Sequence, residues 1–196
     1  MPHNLTLHML VKNEAARLRK LLPHVAPYVD EMSIAVDDLT SDDTAEVCRP
    51  FTDKVIQVPL NWDFASARNP SLDMVKTQWV LHLDADEWPM TELLDYIVRW
   101  IQGPQSRGKA GLVVWRHNLV GGKPINGNTW ERHVRVFWFS YRFVGRIHEQ
   151  LDNFPITRLA VAPRAFFIQH YKTNEEQGAQ NKHYQEWPEQ RAITGE

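Results

Sequence analysis

The sequence predicts an α/β protein: a Rossmann-like mixed sheet flanked by helices. Three observations lead there. Apolar runs alternate with helix-spaced segments as β-α-β-α-β-α-β through residue 102, the pattern of a parallel sheet covered by helices. After residue 103, strand-like segments follow one another with Gly- and Pro-containing turns, as in an antiparallel extension of the same sheet. The 196 residues are 43% hydrophobic and 23% charged, which suits a single domain with a sizeable core.

The elements follow in order. Leu5 to Val11 reads as the first strand. Asn13 can cap a helix opening at Glu14, with Leu18, Leu21, Leu22 and Val25 at helical spacing, and Pro23 is expected to end or kink it. Met32 to Val36 is a second strand that stops at Asp37, and a short helix starts within the polar run 37–44. Lys54 to Val58 is a third strand. Asp63 or Ser66 begins a helix reaching about Val75. Trp79 to Leu83 is the fourth strand, and Thr91-Glu92 opens an amphipathic helix carrying Leu93, Leu94, Ile97, Val98 and Ile101. Residues 103–109 form a loop. Gly111 to His117, Arg132 to Phe139 and Ala165 to Gln169 read as strands, and Thr173 or Asn174 caps a final polar helix from about Glu175 to Trp187.

Composition narrows the function classes. A net charge of −2 does not describe a polyelectrolyte binder of nucleic acid. Cys48 stands alone, so an intramolecular disulfide and a multi-cysteine zinc site are both ruled out, in keeping with a reducing compartment. The apolar run at the start is too short and mixed for a signal peptide or a membrane span. A cytoplasmic protein, at most peripheral to a membrane, is expected.

The most informative segment is 79–87, where a buried strand ends in Asp84, Asp86 and Glu87. Carboxylates held together at the carboxyl end of a strand repel unless a cation lies between them. Mg²⁺ or Mn²⁺ suits hard oxygen ligands and commonly links one or two carboxylates to the phosphates of a substrate. Asp-x-Asp is also common in solvated turns, so its weight comes from company. The loops Lys12-Asn13-Glu14 and 37–44 also follow strands, and in a parallel sheet all three converge on one rim. Taken singly, each also reads as a helix cap.

Six short motifs carry a family resemblance. Met9-Leu-Val-Lys-Asn-Glu14, the 37–44 loop with Asp37, Thr40, Asp42 and Thr44, Trp62-Asp-Phe-Ala-Ser-Ala-Arg-Asn69, and Leu83-Asp-Ala-Asp-Glu87 resemble, in order, successive motifs of a group within glycosyltransferase family 2. Gly145-Arg-Ile-His-Glu-Gln-Leu151 and His170-Tyr171 extend the likeness, which covers residues 5 to about 172. The pattern is similar to small bacterial enzymes that glucosylate the lipopolysaccharide core. Two departures stand out: Leu39 and Lys172 occupy positions where that group has glycine.

The resemblance implies a GT-A fold, a UDP-sugar donor, a Mn²⁺ or Mg²⁺ cofactor and an inverting transfer to an acceptor that it does not identify. It divides the expected single domain into a nucleotide-sugar-binding half, 1–102, an acceptor half, 103–172, and a helix and tail, 173–196. It implies Glu14 and Asp37 near base and ribose, Arg68 at the nucleotide pocket, and Arg132 and Arg135 near the donor phosphates. Asp84 would face the ribose or the water shell of the metal, Asp86 would ligate the metal directly, and His170 would bind the metal or the pyrophosphate. An inverting transfer needs a base for the acceptor hydroxyl. Glu149, beside His148, is the candidate; the plainer reading is a structural carboxylate paired with an arginine. It is not part of a zincin helix, because residue 152 is Asp. His82, inside a strand, reads as a satisfied core residue.

Other readings stay open. Arginines 132, 135, 142, 146, 158 and 164 lie among aromatic residues, as alternating strands with solvated charges or as a groove for something anionic and flat. Transfer to a base in DNA would suit the second account. A non-catalytic nucleotide-sugar or glycan-binding module would keep the fold without turnover. An aspartate-nucleophile phosphohydrolase fits poorly, since its Asp-x-Asp normally ends the first strand.

Overall fold

The structure, a computed structural model, describes residues 2–124, 129–146, 149–176 and 178. Its strands are β1 (Leu5–Val11), β2 (Glu31–Asp37), β3 (Val55–Val58), β4 (Trp79–His82), β5 (Glu87–Pro89), β6 (Gly111–Val120), β7 (Lys123–Pro124), β8 (Trp130–Trp138), β9 (Phe143–Val144), β10 (Gln150–Leu151), β11 (Leu159–Val161) and β12 (Phe167–Lys172). The helices are α1 (Ala15–Val25), α2 (Thr44–Cys48), α3 (Phe64–Leu72) and α4 (Thr91–Gln102). Ten strands make one sheet in the order β3-β2-β1-β4-β8-β6-β12-β5, with β7 and β11 also paired to β6. β9 and β10 form a separate antiparallel pair.

β3, β2, β1 and β4 are mutually parallel, as the alternating pattern predicts. β8 then runs antiparallel to both β4 and β6. The expected antiparallel extension is corrected at its far edge: β12 lies parallel to β6 and antiparallel to β5. The reason is topological: the returning chain follows β6 from end to end, β11 against Gly111–Val113 and β12 against Trp115–Val120, so both strands share the direction of β6. β5, three residues long and ending at Pro89, escapes sequence reading because it is too short to show a period.

Alternation along β1 sorts the core. Leu5, Leu7, Met9 and Val11 pack with Leu18, Leu22, Leu93 and Ile97 of α1 and α4. The opposite face carries Val80 and Phe137 against Ala65 and Leu72 of α3. Helices therefore cover both faces of the parallel half. Among the described residues no helix is long and apolar enough to cross a membrane.

The helix ends depart from expectation in an instructive way. α1 continues past Pro23 to Val25. Asn13 does not cap it; with φ 53° it turns the chain, and its Oδ1 accepts the Ser41 N–H at 2.7 Å. The orphan N–H groups are met from the next loop: Glu14 N donates to Thr44 Oγ1 at 2.8 Å and Ala15 N to Asp42 Oδ2 at 3.1 Å. The loop after β2 thus caps the helix after β1 and holds the two loops together. Asp63 caps α3, accepting from Ser66 N at 2.9 Å, and the helix stops at Leu72, short of Val75. At the last element Thr173 and Glu176 form a reciprocal capping box. Most of the expected helix 175–187 falls outside the described residues.

Leu81 is fully buried at the centre of the sheet. Leu81→Ala is expected to cost roughly 2–5 kcal/mol in stability, read from the urea midpoint at unchanged slope.

Candidate active site

The loops after β1, β2 and β4 meet at one rim, and three adjoining cavities lie along it. The first, about 190 Å³, is lined by Lys12, Asp37, Leu39, Asn61, Trp62 and Phe64. The second, about 450 Å³, adds Glu14, Arg68, Asp84, Asp86, Arg116, Glu149, His170 and Lys172 to Lys12 and Phe64. The third, about 550 Å³, shares Arg68, Asp84, Arg116 and Glu149 with the second. Beyond them it is walled by Arg132, Arg135, Phe137, Phe143 and Phe154. Shared walls make the three a continuous cleft.

β4 delivers the carboxylates, but to different partners. Asp84 Oδ1 lies 3.4 Å from Arg68 Nη2, and Oδ2 lies 3.1 Å from Arg135 Nη2. Burial opposes its charge, yet Arg135 and Arg68 outweigh burial and hold the carboxyl well below the usual carboxylate range. Asp86 points elsewhere: its Oδ2 meets His170 Nε2 at 3.0 Å and Lys172 Nζ at 3.6 Å. Burial again works against ionisation, and the hydrogen bond and charge from His170, with Lys172, bring the carboxyl below its ordinary value. Pairing of His170 with Glu87 across β12 and β5 sets this geometry. Glu87 is 1% exposed and contacts Arg116 Nη1 at 3.2 Å, Arg135 Nη2 and the Asp84 N–H at 3.2 Å. Burial raises its pKa despite the flanking guanidinium groups.

Beneath Asp84, His8 and His82 sit opposite each other on β1 and β4, both buried. Arginine has no acceptor, so Arg68 Nη1 must donate to His82 Nε2, 2.8 Å away. His82 therefore carries its proton on Nδ1 and donates to His8 Nδ1 at 3.0 Å. His8 in turn keeps its proton on Nε2, facing Ser71 Oγ at 2.8 Å and the Arg68 carbonyl at 3.2 Å. Both rings are neutral. Burial, reinforced by Arg68, lowers the His8 pKa to about 3 and that of His82 well below its ordinary value. His82 is the satisfied interior residue that the sequence suggests.

The remaining candidates separate. Asp37, 1% exposed, accepts from the Leu39 N–H at 2.9 Å and forms an ion pair with Lys12 at 3.0 Å in the first cavity. Glu14 lines the second cavity and is bound by Arg17 Nη1 at 2.9 Å; burial raises its pKa. Arg68 is a buried strut: it holds Glu149 Oε1 through Nε at 2.8 Å, as well as His82 and Asp84. Arg135 is likewise buried, between Asp84 and Glu87. Arg132 is on the third cavity, its guanidinium 5.6 Å from the Trp115 ring. The pair implied for the donor phosphates is thus split. Glu149 borders the second and third cavities; His148 lies outside the described residues. Leu39 is 72% exposed with ordinary negative φ, so this departure from glycine imposes no left-handed backbone.

Sequence reading gave no role to Arg116, Lys172, Trp62 or Phe64. Lys172 was visible only as a departure from a pattern, and Trp62 and Phe64 only as members of a motif. Arg116 left no signal in an ordinary strand. Among the described residues no group of three or more His, Cys, Asp or Glu side chains is placed to hold an ion. An ion at Asp86 would have at most His170 as a second protein ligand.

A mixed sheet with parallel strands feeding a carboxylate-lined rim is the GT-A fold. It is shared with the Staphylococcus aureus protein TarS, whose 1–349 fragment in complex with UDP matches 90% of this chain and 62% of its own, with a TM-score of 0.55 at 14% identity. The same fragment in complex with UDP-GlcNAc gives 0.54 over 88% of this chain. The chain belongs to glycosyl transferase family 2, whose model matches residues 6–158. An uncharacterized glycosyltransferase of Rickettsia felis is 34% identical over 90 residues, 45% of this chain and 31% of that one. The glycosyltransferase SunS of Bacillus subtilis is 32% identical over 85 residues, 42% of this chain and 20% of its own. The chain's matches span about a third or less of the length of these curated relatives.

The neutral histidine pair makes stability sensitive to acid. Unfolded, His8 titrates at 6.5; folded, at about 3. Between these values the unfolded chain binds the extra proton, so stability falls as pH drops through this window. Thermal melts from pH 8 to pH 4 are expected to show this fall, and a shallower one in His8→Gln.

Proposed function

We propose that the protein is a glycosyltransferase that moves a sugar from a UDP-sugar to an acceptor hydroxyl, inverting the anomeric centre, with Mn²⁺ or Mg²⁺ held at Asp86. The observation that carries this reading is the continuous cleft, with carboxylates of separate roles along it.

The first cavity suits a pyrimidine. Trp62 and Phe64 offer aromatic surface. Asp37 Oδ2 is buried, and apart from its ion pair with Lys12 it accepts no hydrogen bond among the described residues. A uracil N–H satisfies such an oxygen; the corresponding cytosine nitrogen has no hydrogen. The diphosphate would lie in the second cavity. Asp86 Oδ2 and His170 Nε2 meet at 3.0 Å beside this cavity, and these two side chains would hold a divalent cation there. When bound, the cation neutralises charge on the departing diphosphate. Lys172 adds a fixed charge from the protein itself.

Glu149, between donor and acceptor cavities, takes the proton as the acceptor oxygen attacks the anomeric carbon. The bond to the diphosphate breaks and its electron pair leaves with UDP. Arg68 holds Glu149 in place, and the buried histidines hold Arg68. The same Arg68–Glu149 ion pair is the observation that favours a second reading, a non-catalytic nucleotide-sugar-binding module, because it engages the base.

Titration calorimetry with UDP and UDP-sugars, with and without Mn²⁺, tests the donor site. Asp86→Ala is expected to abolish the Mn²⁺-dependent part of UDP binding; no UDP binding by the folded wild type would sink the proposal. Glu149→Gln is expected to keep donor binding and lower UDP release from a turned-over donor by about 10²–10⁴-fold. Unchanged UDP release would remove Glu149 as the base, and none in wild type under any condition would favour the binding module.

A further inference from the structure

A set of aromatic and cationic side chains continues from the third cavity along one face of the sheet. Strand register places Trp115 opposite Arg132 on β8 and opposite Phe167 on β12, and His117 opposite Trp130. Paired residues in a sheet point to the same side, so these five share a face. Arg164, from the turn before β12, lies over them. Its guanidinium is 4.4 Å from the ring centre of Trp130 and 5.5 Å from that of Trp115. Arg132 lies 5.6 Å from Trp115. One indole therefore sits against two guanidinium groups.

The two arginines differ from the others around them. Arg68, Arg116, Arg135 and Arg142 are each bound to a carboxylate. Arg132 and Arg164 are exposed and, among the described residues, have no carboxylate partner. Stacking on an indole restrains a guanidinium while leaving its N–H edge free to fork onto an oxyanion. Two such forks in one patch match a phosphate, which offers more than two acceptor oxygens. Arg132 lines the third cavity, as Glu149 does, so a molecule whose anion is held here can extend along that cavity toward the carboxylate.

We propose that Arg132 and Arg164, stacked on Trp115 and Trp130, form an acceptor subsite for a phosphate carried on a saccharide. This rests on the third cavity being the acceptor side of a glycosyltransferase. It adds the class of acceptor: a phosphorylated sugar or sugar chain whose charge is held to one side of the reacting hydroxyl. A nucleic acid is disfavoured because two arginines in one patch of a chain of net charge −2 make no stripe that could track a phosphate backbone.

Glucose 6-phosphate, glucose and a single-stranded oligothymidylate are suitable probes, with tryptophan fluorescence as the signal and a UDP titration on the same samples. Saturable quenching by glucose 6-phosphate is expected in wild type, with none from glucose at the same concentration. Arg132→Gln/Arg164→Gln should weaken it by about tenfold or more, and Arg164→Gln alone by less, the single variant keeping its UDP affinity. Equal affinity in wild type and double variant overturns the subsite, as does the absence of a saturable response. Tighter, steeply salt-dependent binding of the oligonucleotide overturns it in favour of nucleic acid. Loss of UDP binding with sugar phosphate binding intact would fail the donor reading instead, so the two failures are distinct.

Discussion

The cleft depends on buried charge pairing at the end of β4. A carboxylate as buried as Glu87 costs several kcal/mol unless guanidinium groups surround it. Here Arg116 from β6 and Arg135 from β8 converge on Glu87, while Arg135 and Arg68 from α3 grip Asp84. Three separate elements are thereby tied to one turn. With Asp84 and Glu87 immobilised, Asp86 between them has little freedom but to face the cleft, where β12 presents His170 and Lys172. The network is costly to bury, and it secures the aim of one side chain.

The histidine pair extends this logic inward. Each hydrogen bond in the series from Arg68 through His82 and His8 and back to the Arg68 carbonyl runs in one direction, so the tautomers are determined. Such a closed set satisfies polar groups in an interior that would otherwise penalise them. It also makes Arg68 rigid, and Arg68 is what Glu149 leans on. Packing between two central strands is thus coupled to the position of the group proposed as base.

The three cavities divide the chemistry by location. The end beside Asp37 is small and aromatic; the middle carries Asp86, His170 and Lys172; the third is broad and lined by aromatic residues and arginines together. Because they share walls, ligands bound in neighbouring cavities would lie in register. That is the arrangement the proposed transfer requires to bring an acceptor oxygen to a donor carbon in a defined direction.

The sequence by itself determined the parallel half and the rim. Leu5–Val11, Trp79–Leu83 and the helix from Thr91 follow from periodicity, and the carboxylates at the strand ends announce a site, because strand direction decides where following loops go. Motif likeness added the family and a set of proposed roles. Only the tertiary structure decided which carboxylate meets which cation. Asp84 and Asp86 are two residues apart, yet one is locked by Arg68 and Arg135 and the other is open to His170, since β12 joins the sheet beyond β6 and pairs with a strand too short to foresee. The same holds for α1, whose cap comes from Asp42 and Thr44 on another loop rather than from Asn13, and for Arg132 and Arg135, whose shared strand sends them to different surroundings. Contacts between segments distant in sequence set these outcomes, and local propensity carries no record of them.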